Sequence, residues 1–331
     1  MLKSKLEIMG EILETLNEYE TFLISSHINP DGDAVGSQLA LYSILSDLGK
    51  KVSVVNSDPF PSDYDFLPNA EVFRVASNIQ NLASSIQNVD VAIILDCGNL
   101  GRIGEELAKQ VCPKQALINI DHHSGNEYFG TYNLVDNKAC AAAELVFRLM
   151  EHGNMEIGRD RAICLYTAII TDTGSFKYAN TTPEAHRIAA RLIDEGVSPS
   201  LIAESVYDIV PYQRAKLLSL ALETLQISPD GKIAWMWVTQ EMHQKTETGS
   251  VDTADFIDYA RSLKDIEIAL FFRQLQDGGI KVSLRSKTGL DVSQIAASFG
   301  GGGHKAAAGC TINEPMDKAI EIILGVLRDH Q

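Results

Sequence analysis

Three short apolar runs, each ending directly in carboxylates or imidazoles, constrain the fold of this chain more than any other feature. Thr21-Phe22-Leu23-Ile24-Ser25 leads into Ser26-His27-Ile28-Asn29-Pro30-Asp31-Gly32-Asp33. Asn88-Val89-Asp90-Val91-Ala92-Ile93-Ile94-Leu95 leads into Asp96-Cys97-Gly98. Ala116-Leu117-Ile118-Asn119-Ile120 leads into Asp121-His122-His123. Runs of this length, bounded by turn residues, read as buried strands. Lys51-Val52-Ser53-Val54-Val55 is a further strand, and helical spacing recurs between the strands, at residues 38–45 and 105–111. Strands alternating with helices predict a mostly parallel sheet flanked by helices. In such a sheet the carboxyl ends of the strands share one rim, where open α/β folds bind ligands. Groups remote in sequence can therefore meet there.

The first of these strand-to-helix turns is the densest. Pro30 and Gly32 shape it, and Gly36 lets another backbone approach closely. One imidazole and two carboxylates, His27, Asp31 and Asp33, suit a divalent cation such as manganese. The competing reading of this stretch alone is an aspartate helix cap beside an incidental histidine. Asp96 and Asp121-His122-His123 add donors from two other strand ends. A helix over residues 159–170 delivers Asp172. Together they are enough for two ions sharing a carboxylate, an arrangement that stabilises both attacking and leaving oxygens of a phosphoryl displacement. No Ser-His-Asp or Cys-His nucleophile arrangement is evident.

At 331 residues the chain accommodates two domains. The segment 58–68 holds three prolines and reads as loop, and Thr182-Pro183-Glu184 reads as a helix start. Residues 1–197 form the first domain, 198–225 a helical connector, and 226–331 a smaller α/β domain, with the active cleft expected between the two. The second domain is expected to hold a strand at 232–238, a helix at 253–263, strands at 267–274, 279–285 and 310–312, and a last helix from Met316. The net charge of −16 argues against broad binding of duplex nucleic acid. It leaves room for a short anionic substrate held at cations. Five scattered cysteines predict reduced thiols and a cytoplasmic protein. No apolar run is long enough to span a membrane, and the first residues do not read as a signal peptide.

The motif His27-x-x-Pro30-Asp31-x-Asp33-x-x-Gly36-Ser37, followed by Asp96, Asp121-His122-His123 and Asp172, resembles the DHH phosphoesterase superfamily. Gly301-Gly302-Gly303-His304 resembles the signature of its associated substrate domain. The resemblance covers nearly the whole chain. It implies two manganese ions, with magnesium or cobalt as substitutes. His27 and Asp31 would hold the first ion, Asp33, His122 and Asp172 the second, and Asp96 would bridge. It also implies that Asp121 orients His122 and that His123 faces the substrate phosphate, making Asp121 and His123 the catalytic pair.

Arg102 follows the Asp96 strand end and could clamp a phosphate in two-pronged fashion, or be a solvated loop residue. Arg285-Ser286 closes a strand of the second domain and could act likewise. The run Gly300, Gly301, Gly302 and Gly303 can wrap an anion with backbone N–H groups, with His304 beside it. Phe176 and Tyr178 are the better candidates for base stacking. Trp235 and Trp237 read as strand packing, and His152, His186, His243 and His330 as surface or packing residues. Asp252, Asp255, Asp258 and Glu267 speak against a basic stripe. Compact size and the glycine motif make the chain look like the NrnA group. The implied reaction is hydrolysis of short oligoribonucleotides (nanoRNA) to 5′-mononucleotides and of pAp to AMP. A phosphodiesterase for cyclic di-AMP or pApA is the alternative within the class. A catalytically dead nucleotide-binding regulator and a polyanion-binding scaffold are the alternatives outside it. A homodimer is left open.

Overall fold

A computed structural model of the chain describes residues 3–76, 86, 89–249, 253, 255–287 and 289–329. Asp252, His330 and the side chain of His304 lie outside the described residues. The chain forms two compact units, Met1–Ile209 and Val210–Gln331. Segment 198–225 straddles the division. The helix Pro199–Ala203 and the π turn Glu204–Asp208 belong to the first unit, and the helix Tyr212–Glu223 to the second.

The first unit is built on six parallel strands: β1 (Thr21–Ser25), β2 (Lys51–Asn56), β3 (Phe73–Val75), β4 (Val91–Leu95), β5 (Ala116–Asp121) and β6 (Tyr132–Val135). Their order across the sheet is β3-β2-β1-β4-β5-β6. The winding reverses between β1 and β4. At such a switch point the connecting helices leave on opposite faces, and a crevice opens at the carboxyl ends of the two strands. Successive strand residues point to opposite faces. Phe22 and Ile24 therefore join a large core with the helices Lys5–Glu18, Gly32–Asp47, Ala142–His152 and Gly158–Asp172. Leu23, Ala92 and Ile94 face a smaller core with Ile103 and Leu107.

Sequence periodicity does not reveal β3 or β6. They are three and four residues long and lie at the two edges, where partial exposure weakens the apolar signal. The helix after β1 starts at Gly32, ahead of the apolar repeat at residue 38, because Asp31 caps it. One Asp31 oxygen accepts from the Asp33 and Ala34 amides, both at 3.1 Å. Thr182 caps the helix Pro183–Asp194 with proline in its first turn, as its sequence predicts. Glycine sets how closely two helices pack. A Cβ on Gly36 would lie 2.4 Å from the Cys164 carbonyl oxygen, and one on Gly32 would lie 2.3 Å from Thr171 Oγ1. Helix Gly32–Asp47 thus lies against helix Gly158–Asp172, whose last residue is Asp172.

The second unit is a mixed sheet of β7 (Gln226–Ile227), β8 (Ile233–Val238), β9 (Ile268–Gln274), β10 (Ile280–Ser286), β11 (Gly302–His304) and β12 (Ala307–Ile312), ordered β11-β12-β10-β9-β8-β7. Among the described residues only β8 and β9 pair in parallel. Trp235 and Trp237 pack on one face, in the core shared with helices Val292–Ser298 and Met316–Asp329. Met236 and Phe271 face helices Tyr212–Glu223 and Phe256–Ser262. Part of the glycine run is a strand and not a free loop. Gly302 and Gly303 pair with Gly309 and Ala308 in a hairpin. Gly301 and Gly303 have no room for a side chain, the nearest backbone oxygens standing 2.2 and 2.5 Å from an added Cβ, whereas Gly302 is open. Among the described residues no helix is long and apolar enough to cross a membrane. All five cysteines are unpaired thiols.

Candidate metal centre

The carboxyl ends of β1, β4 and β5 bring His27, Asp96 and His122 together around one carboxylate. Asp96 is buried, 3 % exposed, and one of its oxygens lies 3.3 Å from His27 Nε2 while the other lies 3.3 Å from His122 Nε2. Its backbone is in the left-handed region, φ 52°, uncommon for a side-chain-bearing residue. The amide of Asp96 donates to the Ile120 carbonyl of β5 at 2.9 Å. Strain of this kind collects where surrounding structure fixes a functional group.

Two donor sets flank this carboxylate. His27, Asp31 and Asp96 form one, and Asp33, His122 and Asp172 the other, with the ligating atoms of each set within 4.8 Å of one another. A third grouping joins Asp96, His122 and His123. Asp31 caps its helix through one oxygen and presents the other to His27 Nε2 at 3.8 Å. Cap and donor are thus a single residue, because a carboxylate has two oxygens to divide. Asp33 sits in the first helical turn, where its side chain accepts from the amides of Ala142 (2.6 Å) and Ala143 (3.0 Å) and from Ser37 Oγ (2.9 Å). The N-terminus of helix Ala142–His152 carries no side-chain cap of its own, so a carboxylate 109 residues upstream satisfies its amides. Asp172, at a helix end, receives Asn180 Nδ2 at 3.0 Å on the carboxylate and 3.1 Å on its carbonyl. Ser37 belongs to the first motif and reaches Asp33 one helical turn away, whereas no spacing rule marks Ala142, Ala143 or Asn180, which act only through contacts the fold creates.

The electrostatics show what this cluster lacks. Burial opposes charge on His27, yet the contact to Asp96 outweighs it and raises the imidazole to about 9. His122 is raised to about 11 in the same way, with Asp33 and Asp172 adding to Asp96. Burial pushes the Asp172 carboxyl up to about 7, Asp96 adding and His122 opposing. Burial likewise raises Asp33, helped by Asp96. Burial also works against Asp96, but the two imidazoles hold its carboxyl well below the usual range. Four carboxyl groups thus outnumber the two imidazoles, and burial holds Asp33 and Asp172 toward their protonated forms. Asp96 Oδ1 remains buried without a well-formed hydrogen bond. A buried anionic set of oxygen and imidazole donors with such a deficit fits divalent cations, whose charge replaces the protons.

The Asp121 carboxylate accepts from His123 Nδ1 at 2.7 Å. The sequence expectation that Asp121 orients His122 is corrected here. His122 faces Asp33, Asp96 and Asp172 through Nε2, and it is the next ring along that Asp121 holds. Arg102 lies in the turn Leu100–Ile103, and its carbonyl accepts the Ile28 amide at 2.8 Å, tying this turn to the His27 loop while its side chain stays exposed. Phe176 is taken up by packing, stacked on His186 at 4.9 Å between ring centroids. Tyr178 is 39 % exposed and lies against Gly174. In the second unit, Arg285 is half-buried, with one guanidinium nitrogen on the Leu284 carbonyl at 3.2 Å. Ser286 is buried with Oγ unpaired. His243 is buried, with Nδ1 at 3.0 Å from Thr248 Oγ1, a packing role.

Comparison with known proteins places both units. The DHH family, N-terminal domain, matches residues 21–169, and the DHHA1 domain matches residues 233–329. The bifunctional oligoribonuclease and PAP phosphatase NrnA of Thermus thermophilus is 32% identical over 327 residues, covering 98% of this chain and 94% of that protein. The protein of the same name from Bacillus subtilis is 26% identical, covering 97% and 99%. Among solved structures, an exopolyphosphatase-related protein from Bacteroides fragilis superposes with a TM-score of 0.93 at 29% identity, covering 98% of this chain and 96% of that one.

Proposed function

The chain belongs to the DHH family of metal-dependent phosphoesterases, with a DHHA1 domain, and from that premise we propose that it hydrolyses short oligoribonucleotides to 5′-mononucleotides and pAp to AMP with two manganese ions. The observation that carries this reading is Asp96, set between two imidazoles with a donor set on either side. The names of the two bacterial relatives support the substrate class.

In this reading His27, Asp31 and Asp96 would hold one ion, and Asp33, His122 and Asp172 the other, with Asp96 available to both. Bound divalent ions supply Lewis acidity and positive charge to an in-line displacement at phosphorus. The chain supplies preorganisation. Asp33 is held by two amides and a hydroxyl, and Asp172 by Asn180, so little reorganisation is needed when ligands bind. His123, whose Nδ1 is held on Asp121, is assigned to a phosphoryl oxygen or to a proton of the leaving group. Arg102, Arg285, Ser286, the backbone of Gly301, Gly302 and Gly303, and His304 are assigned to substrate. Residues 1–197 act as the catalytic domain, 198–225 as connector, and 226–331 as the substrate domain.

Product analysis with pAp, a labelled dinucleotide and cyclic di-AMP, in manganese and in magnesium, tests the proposal. AMP from pAp and mononucleotides from the dinucleotide are expected, with manganese the better ion. Turnover of the cyclic compound alone would transfer the chain to the cyclic di-AMP reading, and no hydrolysis of any of the three would leave the inactive-regulator reading.

A further inference from the structure

A chain of amides lies behind the Asp121–His123 pair. Asn119, on β5, is fully buried, and its Nδ2 donates to the Ile94 carbonyl at 3.3 Å and the Cys97 carbonyl at 3.1 Å. Its Oδ1 therefore faces the other way and accepts from Asn126 Nδ2 at 2.7 Å. Asn126 Nδ2 also donates to Asp121 Oδ2 at 2.6 Å, and Asn126 Oδ1 accepts the Tyr128 amide at 2.7 Å. Neither amide can flip without setting oxygen against oxygen at one end and N–H against N–H at the other, so the direction of the whole chain is fixed by the β4 carbonyl at its start. Asp121 is completely buried. One of its oxygens is taken by Asn126 and the other by His123 Nδ1.

We propose that Asn126 is a positioning residue for catalysis: by occupying Asp121 Oδ2 it leaves Oδ1 to His123 and locks the imidazole plane through its Nδ1. Without that donor, a buried carboxylate with one oxygen unsatisfied turns toward any other N–H or water within reach, because an unpaired polar atom inside a protein costs more than a changed rotamer. The Asp121–His123 bond then loses its fixed direction. The inference rests on the reading of His123 as substrate-facing. It adds that the orientation of this ring originates in Asn126, three residues further along the same loop. Partners that orient an active-site histidine typically change activity 10- to 100-fold on removal.

The test uses the full-length protein with Asn126→Asp, which keeps shape and the Tyr128 contact but sets an oxygen against Asp121, and Asn126→Ala. Glu127→Ala is the control on the same loop. In the metal-free protein, nuclear magnetic resonance should show a downfield, slowly exchanging Nδ1–H proton of His123, identified by its loss in His123→Asn. It should disappear in both Asn126 variants and persist in Glu127→Ala. In manganese-loaded protein, kcat should fall about 10- to 100-fold while KM for pAp stays within about twofold and two manganese ions still bind. An unchanged resonance and unchanged kcat in Asn126→Asp would overturn the proposal. Loss of bound manganese in Asn126→Asp would overturn it too, since the residue would then serve the ligands and not His123. Should wild-type protein hydrolyse nothing, the resonance measurement still decides this inference, and only the phosphoesterase reading fails.

Discussion

The two sheets of this protein handle charge in opposite ways. In the parallel sheet of the first unit, acids and imidazoles stand at the strand ends and are buried: Asp33 is 1%, Asp96 3% and His27 8% exposed. In the mixed sheet of the second unit, polar side chains such as Lys281, Ser283 and Arg285 alternate along the strand body of β10, exposed or half-buried beside a glycine hairpin. Burying unpaired charge is costly. The first unit offsets that cost by mutual neutralisation, with imidazolium charges among carboxylates, and so holds a geometry waiting for cations. The second leaves Arg285 half-buried at the end of β10, within reach of water. A buried, preorganised set of this kind suits metal-dependent chemistry.

That contrast can be broken at its strongest point first. Asp96→Ala should lower kcat by about 10³-fold or more, the upper scale for removing one electrostatic stabiliser, with secondary structure retained by circular dichroism. Arg285→Ala should instead raise KM about 10-fold or more, since a charged hydrogen bond is worth ~1.5–3 kcal/mol, with kcat and bound manganese unchanged. Near wild-type manganese-dependent turnover by Asp96→Ala, or an unchanged KM in Arg285→Ala on every substrate, would count against the proposed roles of these residues.

Protons and metals compete for the first unit. His27 raised to about 9 and His122 to about 11 both gain protons on folding relative to the ordinary histidine value. Their stabilisation is fully present below pH ~6.5 and is lost as pH rises through about 9 and above. Asp172, raised to about 7, acts in the same direction, because its carboxylate adds repulsion once ionised. The metal-free protein should therefore lose thermal stability as pH rises from 7 to 10, and manganese should restore it. Manganese binding at pH 7–8 should release one to two protons, giving an affinity that rises about 10- to 100-fold per pH unit. Calorimetry in buffers of different ionisation enthalpy reads this number, and zero protons released would mean the imidazoles are not ligands.

The smallest effects sharpen the contrast in packing. Gly36→Ala would place a methyl 2.4 Å from the Cys164 carbonyl oxygen, forcing apart the helix pair that carries Asp33 and Asp172. It should cost about 1–3 kcal/mol in urea unfolding and weaken manganese binding. Gly302→Ala meets nothing within 4 Å and should change stability by less than about 0.5 kcal/mol, so any effect it has on KM reports substrate and not fold.

Much of the first unit was legible as a string of residues. The apolar runs of β1, β4 and β5 are dense enough to be read as buried strands, and donors at their ends follow from parallel winding alone. Edge strands β3 and β6 were not legible, because three or four half-exposed residues carry too little pattern. The second unit's glycine run looked like an anion loop; backbone crowding at Gly301 and Gly303 made part of it a strand.

The amino-acid order by itself determined which side chains could be donors, that they would cluster on one rim, and that the chain would be an α/β protein in two parts, because strand period and strand-end chemistry are local properties. Only the tertiary structure decided which oxygen of Asp96 faces which imidazole, that Asp121 serves His123 and not His122, and that Asp33 is held by the first turn of a helix more than a hundred residues away. Those are matters of direction within a few ångströms. They are set by the left-handed backbone at Asp96, by a glycine notch between two helices and by amides that can point only one way, none of which a one-dimensional pattern records.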